Sequence, residues 1–151
     1  MKKDYGKIAE ENFKKGYNCA QAVCLAFAEE TGLSENVILN LSSSFGGGMG
    51  RMREVCGAVS AIFIIAGILK GYSVPNDDKT KAAHYKLIQT LAEEFKVCHN
   101  SIICRELLGL EEAGNENFSF IPSKRTEKYY AERPCENFVR TAAEIISKEL
   151  M

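Results

Sequence analysis

Apolar residues recur at intervals of three and four positions along most of this chain, which is the spacing that places side chains on one face of an α-helix. The clearest example carries Ala83, Leu87, Leu91 and Phe95 at four-residue steps. Strands would need strict alternation of apolar and polar residues with regularly spaced turns, and the apolar runs lack both features. The pattern therefore predicts an all-α fold.

Capping residues predict where these helices begin and end, because Asn, Ser, Asp and Pro favour helix starts and Gly favours helix ends. Counted with their caps, the predicted helices are Lys3–Lys15, Asn18–Glu30, Ser34–Leu41, Glu54–Lys70, Asp77–Lys96, Ser101–Gly109 and Pro134–Glu149. The segment from Glu111 to Lys128 is polar and irregular, so we expect a loop or short turns there.

The most apolar stretch, Val55 to Leu69, is predicted to be a buried central helix. It contains Gly57 and Gly67, ends at Lys70, and is shorter than the roughly 20 residues that a membrane span requires. A secretory signal would place an apolar run after a basic start, and the amino-terminal residues lack one. We therefore expect a cytoplasmic protein without a membrane segment, folded as a single domain over residues 1–151.

Composition and charge narrow the range of partners. The formal net charge is −1, and the basic residues are interspersed with acidic ones. Such a chain has no global positive field, so nucleic-acid binding is not expected. The apolar central helix and the other apolar stripes could support a homodimer.

Four of the six cysteines fall in the first turn of a predicted helix. These four are Cys19, Cys56, Cys104 and Cys135. The first turn has unpaired N–H groups and the positive end of the helix dipole, and both stabilise a thiolate. A thiolate is both a nucleophile and a metal ligand. If the four helix starts converge, they would form a pocket for redox-active thiols or for an anionic iron–sulfur cluster, whereas the mid-helix Cys24 and the helix-end Cys98 are expected to stand apart.

A glycine-rich segment interrupts the helical pattern between residues 42 and 50. Its glycines are Gly46, Gly47, Gly48 and Gly50. They predict unusual backbone angles or a close backbone approach. A nucleotide site using Arg51 and Arg53 is disfavoured, because the segment matches neither the P-loop nor the dinucleotide pattern. Packing beside Cys56 is the better interpretation, with the glycines offering N–H groups to a sulfur or a cluster.

Local metal and redox motifs are missing from the sequence. There is no Cys-x-x-Cys pair, no zinc-finger spacing and no haem-attachment motif, so any site must be assembled from distant parts of the chain. His84 is expected at the surface or the edge of the core. His99 stands next to Cys98, but no spacing supports it as a ligand or a base.

Taken in order, several segments resemble one known family. They are the segments 16–23 (GYNCAQAV), 45–50 (FGGGMG), 56–61 (CGAVSA) and 104–109 (CRELLG), followed by Cys135 before the last helix. This combination is similar to the C_GCAxxG_C_C family, whose members are described as redox-active. The resemblance implies that Cys19, Cys56, Cys104 and Cys135 are the four cysteines of the family. The family also resembles the non-haem part of certain multihaem cytochromes, which implies an iron–sulfur cluster as one alternative.

Three hypotheses remain open from the sequence. The first is thiol–disulfide redox with an unidentified redox partner, in which Cys56 and Cys104 are the exchange pair and Cys19 and Cys135 assist; four cysteines allow three pairings. The second is an electron-transfer or metal-binding module that holds an iron–sulfur cluster or zinc on the same cysteines. The third is a helical packing protein whose cysteines are inert.

Overall fold

The structure is a computed structural model that describes residues 2–110 and 116–151. Over these residues it consists of helices and turns without a strand, which confirms the all-α prediction. The helices are α1 (Tyr5–Lys14), α2 (Cys19–Ala26), α3 (Ala28–Thr31), α4 (Glu35–Ser42), α5 (Gly46–Met49), α6 (Gly57–Lys70), α7 (Asp78–His99), α8 (Cys104–Leu107), α9 (Glu127–Glu132) and α10 (Cys135–Leu150). Single 3₁₀ turns occupy Ser43–Phe45 and Glu116–Phe118.

The predicted caps at Asn18, Ser34 and Asp77 are confirmed. Each side chain accepts a hydrogen bond from the backbone N–H at the third position of the helix that follows. Asn18 forms a full capping box, because the Gln21 side chain also accepts the backbone N–H of Asn18. These two hydrogen bonds set the point at which α2 begins, and therefore the position of Cys19.

Several predicted boundaries are corrected. The second helix divides at Phe27, which is non-helical, into α2 and the short α3. The central helix begins at Gly57 rather than Glu54, because the backbone of Cys56 is non-helical. The seventh helix continues to His99 and ends at the left-handed Asn100.

The region after α7 differs most from prediction. Ser101 was predicted to be a helix cap, but its hydroxyl instead accepts the Ile103 N–H in a turn, and α8 begins only at Cys104. In the predicted irregular segment, residues 111–115 lie outside the described residues. Its described part is irregular up to α9, a short helix that was not predicted and that the Thr126 side chain caps.

The buried central helix is confirmed as α6. Val59, Ile62 and Ile65 are completely inaccessible to solvent. Helix α6 packs against α2, α7 and α10, and α1 closes the other side of α2 and α10. Since the N-termini of α2, α6 and α10 lie at one side of this core, their first residues face a common space.

No helix in the described part of the chain is both long enough and apolar enough to cross a membrane.

Candidate functional site

The four helix-start cysteines line one cavity of about 280 Å³, here called the cysteine cavity. Cys19, Cys104 and Cys135 are the first residues of α2, α8 and α10, and Cys56 is the N-cap of α6. All four are free thiols. The structure therefore brings together residues that are widely separated in the sequence.

The other two cysteines lie elsewhere. Cys24 is buried within the core on α2, and burial raises the pKa of its thiol to about 12. Cys98 is exposed on α7. Neither is among the residues that line the cysteine cavity.

A small backbone bridge holds Cys56 and Cys104 beside each other. Val55 and Ile103 form an isolated antiparallel β-bridge. On either side of it, the Cys56 N–H donates to the Ile102 carbonyl at 2.8 Å and the Cys104 N–H donates to the Glu54 carbonyl at 2.6 Å. Both thiols are consequently anchored through their own backbone.

The glycine segment packs directly on Cys104, and Gly57 at the start of α6 approaches Cys19, whereas the sequence predicted packing of the segment beside Cys56. Gly47 and Gly48 have left-handed backbone angles, with φ of 66° and 73°. A Cβ atom on Gly48 would stand 2.6 Å from the Cys104 Cβ, and one on Gly57 would stand 3.2 Å from the Cys19 Cβ. Only glycine permits this close approach.

Cys19 is the thiol that the site activates. Its pKa is lowered to about 7, chiefly because the Cys135 thiol donates a hydrogen bond to its sulfur. Burial opposes this effect, whereas the positive charge of Arg125 and the N–H groups of Cys19 and Gly47 add to it. Near neutral pH a large fraction of Cys19 is therefore thiolate.

The remaining three thiols stay protonated, which corrects the expectation that every first-turn position would lower a thiol pKa. Burial raises the pKa of Cys56, and the nearby Cys19 charge raises it further. Burial also raises the pKa of Cys104, although Arg53 donates to its sulfur at 3.6 Å. The pKa of Cys135 is raised well above its usual value because its proton is held in the hydrogen bond to Cys19 and because it is buried.

Arginine side chains also line the cysteine cavity. They are Arg51, Arg53, Arg125 and Arg133. Arg51 and Arg53 adjoin the glycine segment and were candidates from the sequence, whereas Arg125 and Arg133 were not, because no spacing connects them to a cysteine. The aromatic ring of Tyr129 lies beneath the guanidinium groups of Arg125 and Arg133, at 5.0 and 5.4 Å.

Neither histidine takes part in the site. His99 makes a 2.8 Å hydrogen bond with the Thr141 hydroxyl and packs between Phe95 and Phe138. His84 packs edge-on against Tyr72. These contacts are those of structural side chains.

The arrangement of donors bears on metal binding. Four cysteines are a chemically suitable ligand set for an iron–sulfur cluster or for zinc. Within residues 2–110 and 116–151, however, no three His, Cys, Asp or Glu side chains are grouped so that they could hold a metal ion. As arranged, the four sulfurs do not form such a group.

Comparison with known families agrees with this geometry. Residues 17–149 match the family model described as "Putative redox-active protein (C_GCAxxG_C_C)". The chain belongs to the C_GCAxxG_C_C family. The match includes all four cysteines of the cavity and the whole glycine segment. No curated protein and no solved structure matches the chain.

Proposed function

We propose that this member of the C_GCAxxG_C_C family is a thiol–disulfide oxidoreductase in which Cys19 is the attacking thiol and Cys135 the resolving thiol. The observation that carries the proposal is that Cys19 and Cys135, the first residues of α2 and α10, line the same cavity and interact, so that the pKa of Cys19 is lowered and that of Cys135 is raised. A thiol with a pKa near the ambient pH is also the most effective attacking group.

The two thiols would act in a fixed order. Cys19 attacks one sulfur of a substrate disulfide and forms a mixed disulfide. Once the Cys19 sulfur is bonded, it no longer accepts the Cys135 proton and no longer carries a negative charge. The main cause of the raised pKa of Cys135 is thereby removed, so Cys135 becomes the second nucleophile.

This assignment differs from the exchange pair that the sequence suggested, Cys56 and Cys104. Burial raises the pKa of both of those thiols. We propose that they support the pair formed by Cys19 and Cys135, as a second dithiol that ionises less readily.

The test is to oxidise the reduced protein with bis(2-hydroxyethyl) disulfide, trap the remaining thiols at low pH and map the bonds by peptide mass spectrometry. We expect a bond between Cys19 and Cys135 in the native chain, and a mixed disulfide that accumulates on Cys19 in Cys135→Ser. Cys98→Ser is the control, since Cys98 is exposed outside the cavity. A bond confined to Cys56 and Cys104 would contradict the proposal.

The metal hypothesis has its own decisive measurement. Iron, zinc and acid-labile sulfide can be assayed, together with a visible spectrum, on protein purified without oxygen. Iron and sulfide in near-equal amounts, lost on replacing Cys19 or Cys56 and kept on replacing Cys24, would replace the thiol mechanism with a cluster. Because the donors as arranged do not form a metal-holding group, we assign no step to a metal.

A further inference from the structure

The charge of the cysteine cavity is strongly unbalanced. Four arginines line it, and among its described lining residues there is no aspartate or glutamate. The ion pairs found between described residues lie elsewhere and involve none of these arginines. Among the described lining residues the Cys19 thiolate is the group that carries negative charge near neutral pH, so positive charge exceeds negative charge around the cavity.

These arginines are crowded together. The pKa of Arg51 is lowered by burial and by the positive charges of Arg53 and Arg133. Arg51 and Arg53 also have left-handed backbone angles, with φ of 63° and 60°. Bringing like charges together in a partly buried space is unfavourable unless an anion enters. The cavity therefore favours a negatively charged occupant.

The four guanidinium groups differ in how far they are already engaged. Arg53 donates to the Asn117 carbonyl at 2.8 Å, and Arg125 donates to the carbonyls of Phe13 and Tyr17. Among the described residues, the Arg51 side chain makes two long hydrogen bonds, of 3.3 and 3.4 Å, to the Ser123 hydroxyl and the Asn117 carbonyl.

Arg133 is the least engaged of the four. Its guanidinium has no hydrogen-bond or ion-pair partner within the described residues and lies over the ring of Tyr129. A guanidinium held in this way offers two parallel N–H groups, the geometry that binds a carboxylate. Arg51 and Arg133 are therefore the side chains available to a ligand.

The size of the cavity and the chemistry of its wall narrow the range of possible ligands further. A volume of about 280 Å³ accommodates a small molecule but not a folded protein segment. Leu107, Phe120 and Phe138 contribute apolar wall, which suits methylene groups and sulfur atoms. The arginines would bind the negatively charged ends of a ligand, and the apolar wall would contact the methylene groups and sulfur atoms between those ends.

Resting on the proposed thiol–disulfide chemistry, we propose that the substrate of the cysteine cavity is a small disulfide that carries carboxylate groups near its sulfur atoms, with Arg51 and Arg133 as the carboxylate-binding residues. In the first step the Cys19 thiolate forms a bond to one substrate sulfur, and the substrate S–S bond breaks to release one thiolate. In the second, Cys135 gives its proton to that thiolate and attacks the Cys19 sulfur, releasing the other half as a thiolate. Two electrons pass from the two cysteines to the substrate, which leaves as two monomers.

The experiment compares three disulfides of similar size: 3,3′-dithiodipropionate, which is dianionic, neutral bis(2-hydroxyethyl) disulfide and dicationic cystamine. The rate of formation of the Cys19–Cys135 bond is divided by the rate at which free 2-mercaptoethanol reacts with the same disulfide, which removes differences in intrinsic reactivity. We expect a preference of about tenfold or more for the dianion over the neutral compound, decreasing with added salt. An equal normalised rate for all three would overturn the proposal.

The variants Arg51→Gln and Arg133→Gln identify the binding residues. Each is expected to lower the preference several-fold, whereas Lys128→Gln, which removes an exposed charge from α9 outside the cavity, should leave it unchanged. A preference that survives both arginine substitutions would overturn the assignment.

Binding of suberate, the unreactive analogue with methylene groups in place of the sulfurs, is measured by calorimetry. This measurement separates the anion site from the proposed redox function. If none of the three disulfides oxidises Cys19, the redox function is wrong. Suberate binding would still support the anion site, and a lack of suberate binding would overturn the anion site.

Discussion

At the scale of single residues, placement at a helix N-terminus does not by itself activate a thiol. Cys19 is the first residue of α2 and Cys56 is the N-cap of α6, and the N–H groups of Ala58 and Val59 do favour the Cys56 thiolate. Burial outweighs them at Cys56, whereas Cys19 has additional donors in Cys135 and in the Gly47 backbone. Side-chain donors from elsewhere in the chain decide which sulfur ionises.

The hydrogen bond from Cys135 can be tested through the reactivity of Cys19. Replacing Cys135 by Ala removes the donor, so the pKa of Cys19 should rise from about 7 and its alkylation by iodoacetamide at neutral pH should slow, about tenfold for each unit of pKa. Cys135→Ser keeps a hydroxyl donor and should retain most of the native rate. The measurement is the pH dependence of alkylation at Cys19, followed by mass spectrometry.

Two results would count against this account. If the pH midpoint of Cys19 alkylation is unchanged in Cys135→Ala, Arg125 and the backbone N–H groups set the pKa of Cys19. Slow alkylation of Cys19 in the native chain, comparable to that of the buried Cys24, would support the hypothesis of inert cysteines.

The sequence was sufficient to select the four cysteines but not to rank them. Asn18 and Pro134 mark helix starts by their residue types, so the positions of Cys19 and Cys135 could be predicted. The depth of burial and the contact between these two sulfurs depend on how α2 and α10 pack. No local pattern contains that information.

At the scale of elements, the glycine segment is shaped by contact rather than by flexibility. Gly48 has a left-handed backbone and fills the space between the Cys104 Cβ and the backbone of Arg53 and Glu54. Even one methyl group there would displace α8 or the bridge before it. The segment therefore sets how closely α8 approaches the rest of the cavity.

Replacing Gly48 by Ala should be more destabilising than the backbone angle alone explains. Gly32 has a similar φ of 74° with nothing within 4 Å of its missing Cβ, so Gly32→Ala isolates the backbone effect, about 1 kcal/mol. For Gly48→Ala we expect about 2–4 kcal/mol, since overpacking adds to that effect. Urea unfolding of the two variants measures the difference. Equal losses in the free energy of unfolding would show that Cys104 can move away from an added methyl group at little cost.

Elements were predictable where one capping residue determines a boundary. Ser34 and Asp77 begin α4 and the long α7 as expected. The first turn of α8 was misplaced because the Ser101 hydroxyl satisfies the Ile103 N–H in a turn, which looks like a cap in the sequence. Helix α9 was missed because its polar surface has no apolar periodicity, and its position depends on Tyr129 and Arg125.

At the scale of the whole molecule, Arg125 connects the cavity wall to the beginning of the chain. It donates to the carbonyls of Phe13 and Tyr17, at 3.1 and 3.0 Å, where α1 ends and α2 begins. Its guanidinium also stacks on Phe13, with 4.3 Å between its central carbon and the ring centroid. One side chain thus joins segments more than 100 positions apart.

Removing this connection should weaken the whole fold. Arg125→Met removes the donor to the Tyr17 carbonyl, one of several donors to the Phe13 carbonyl and the contact with the Phe13 ring, and we expect a loss of about 2 kcal/mol in the free energy of unfolding together with a higher pKa of Cys19. Lys128→Met, at an exposed position nearby, should change stability by less than about 0.5 kcal/mol. Chemical denaturation measures both, and similar values for the two variants would refute the role of Arg125.

Cys19 and Cys135 lie near opposite ends of the chain, so a bond between them would close a loop of about 115 residues. Closing a loop of that length removes conformational entropy from the unfolded chain, equivalent to ~4–5 kcal/mol. By the thermodynamic cycle that links folding and oxidation, folding favours the disulfide by the same amount, which lowers the reduction potential of the pair. The ionised Cys19 favours the reduced form, which raises the reduction potential. The length of chain between the two sulfurs is therefore itself a determinant of whether this pair rests as a dithiol or as a disulfide.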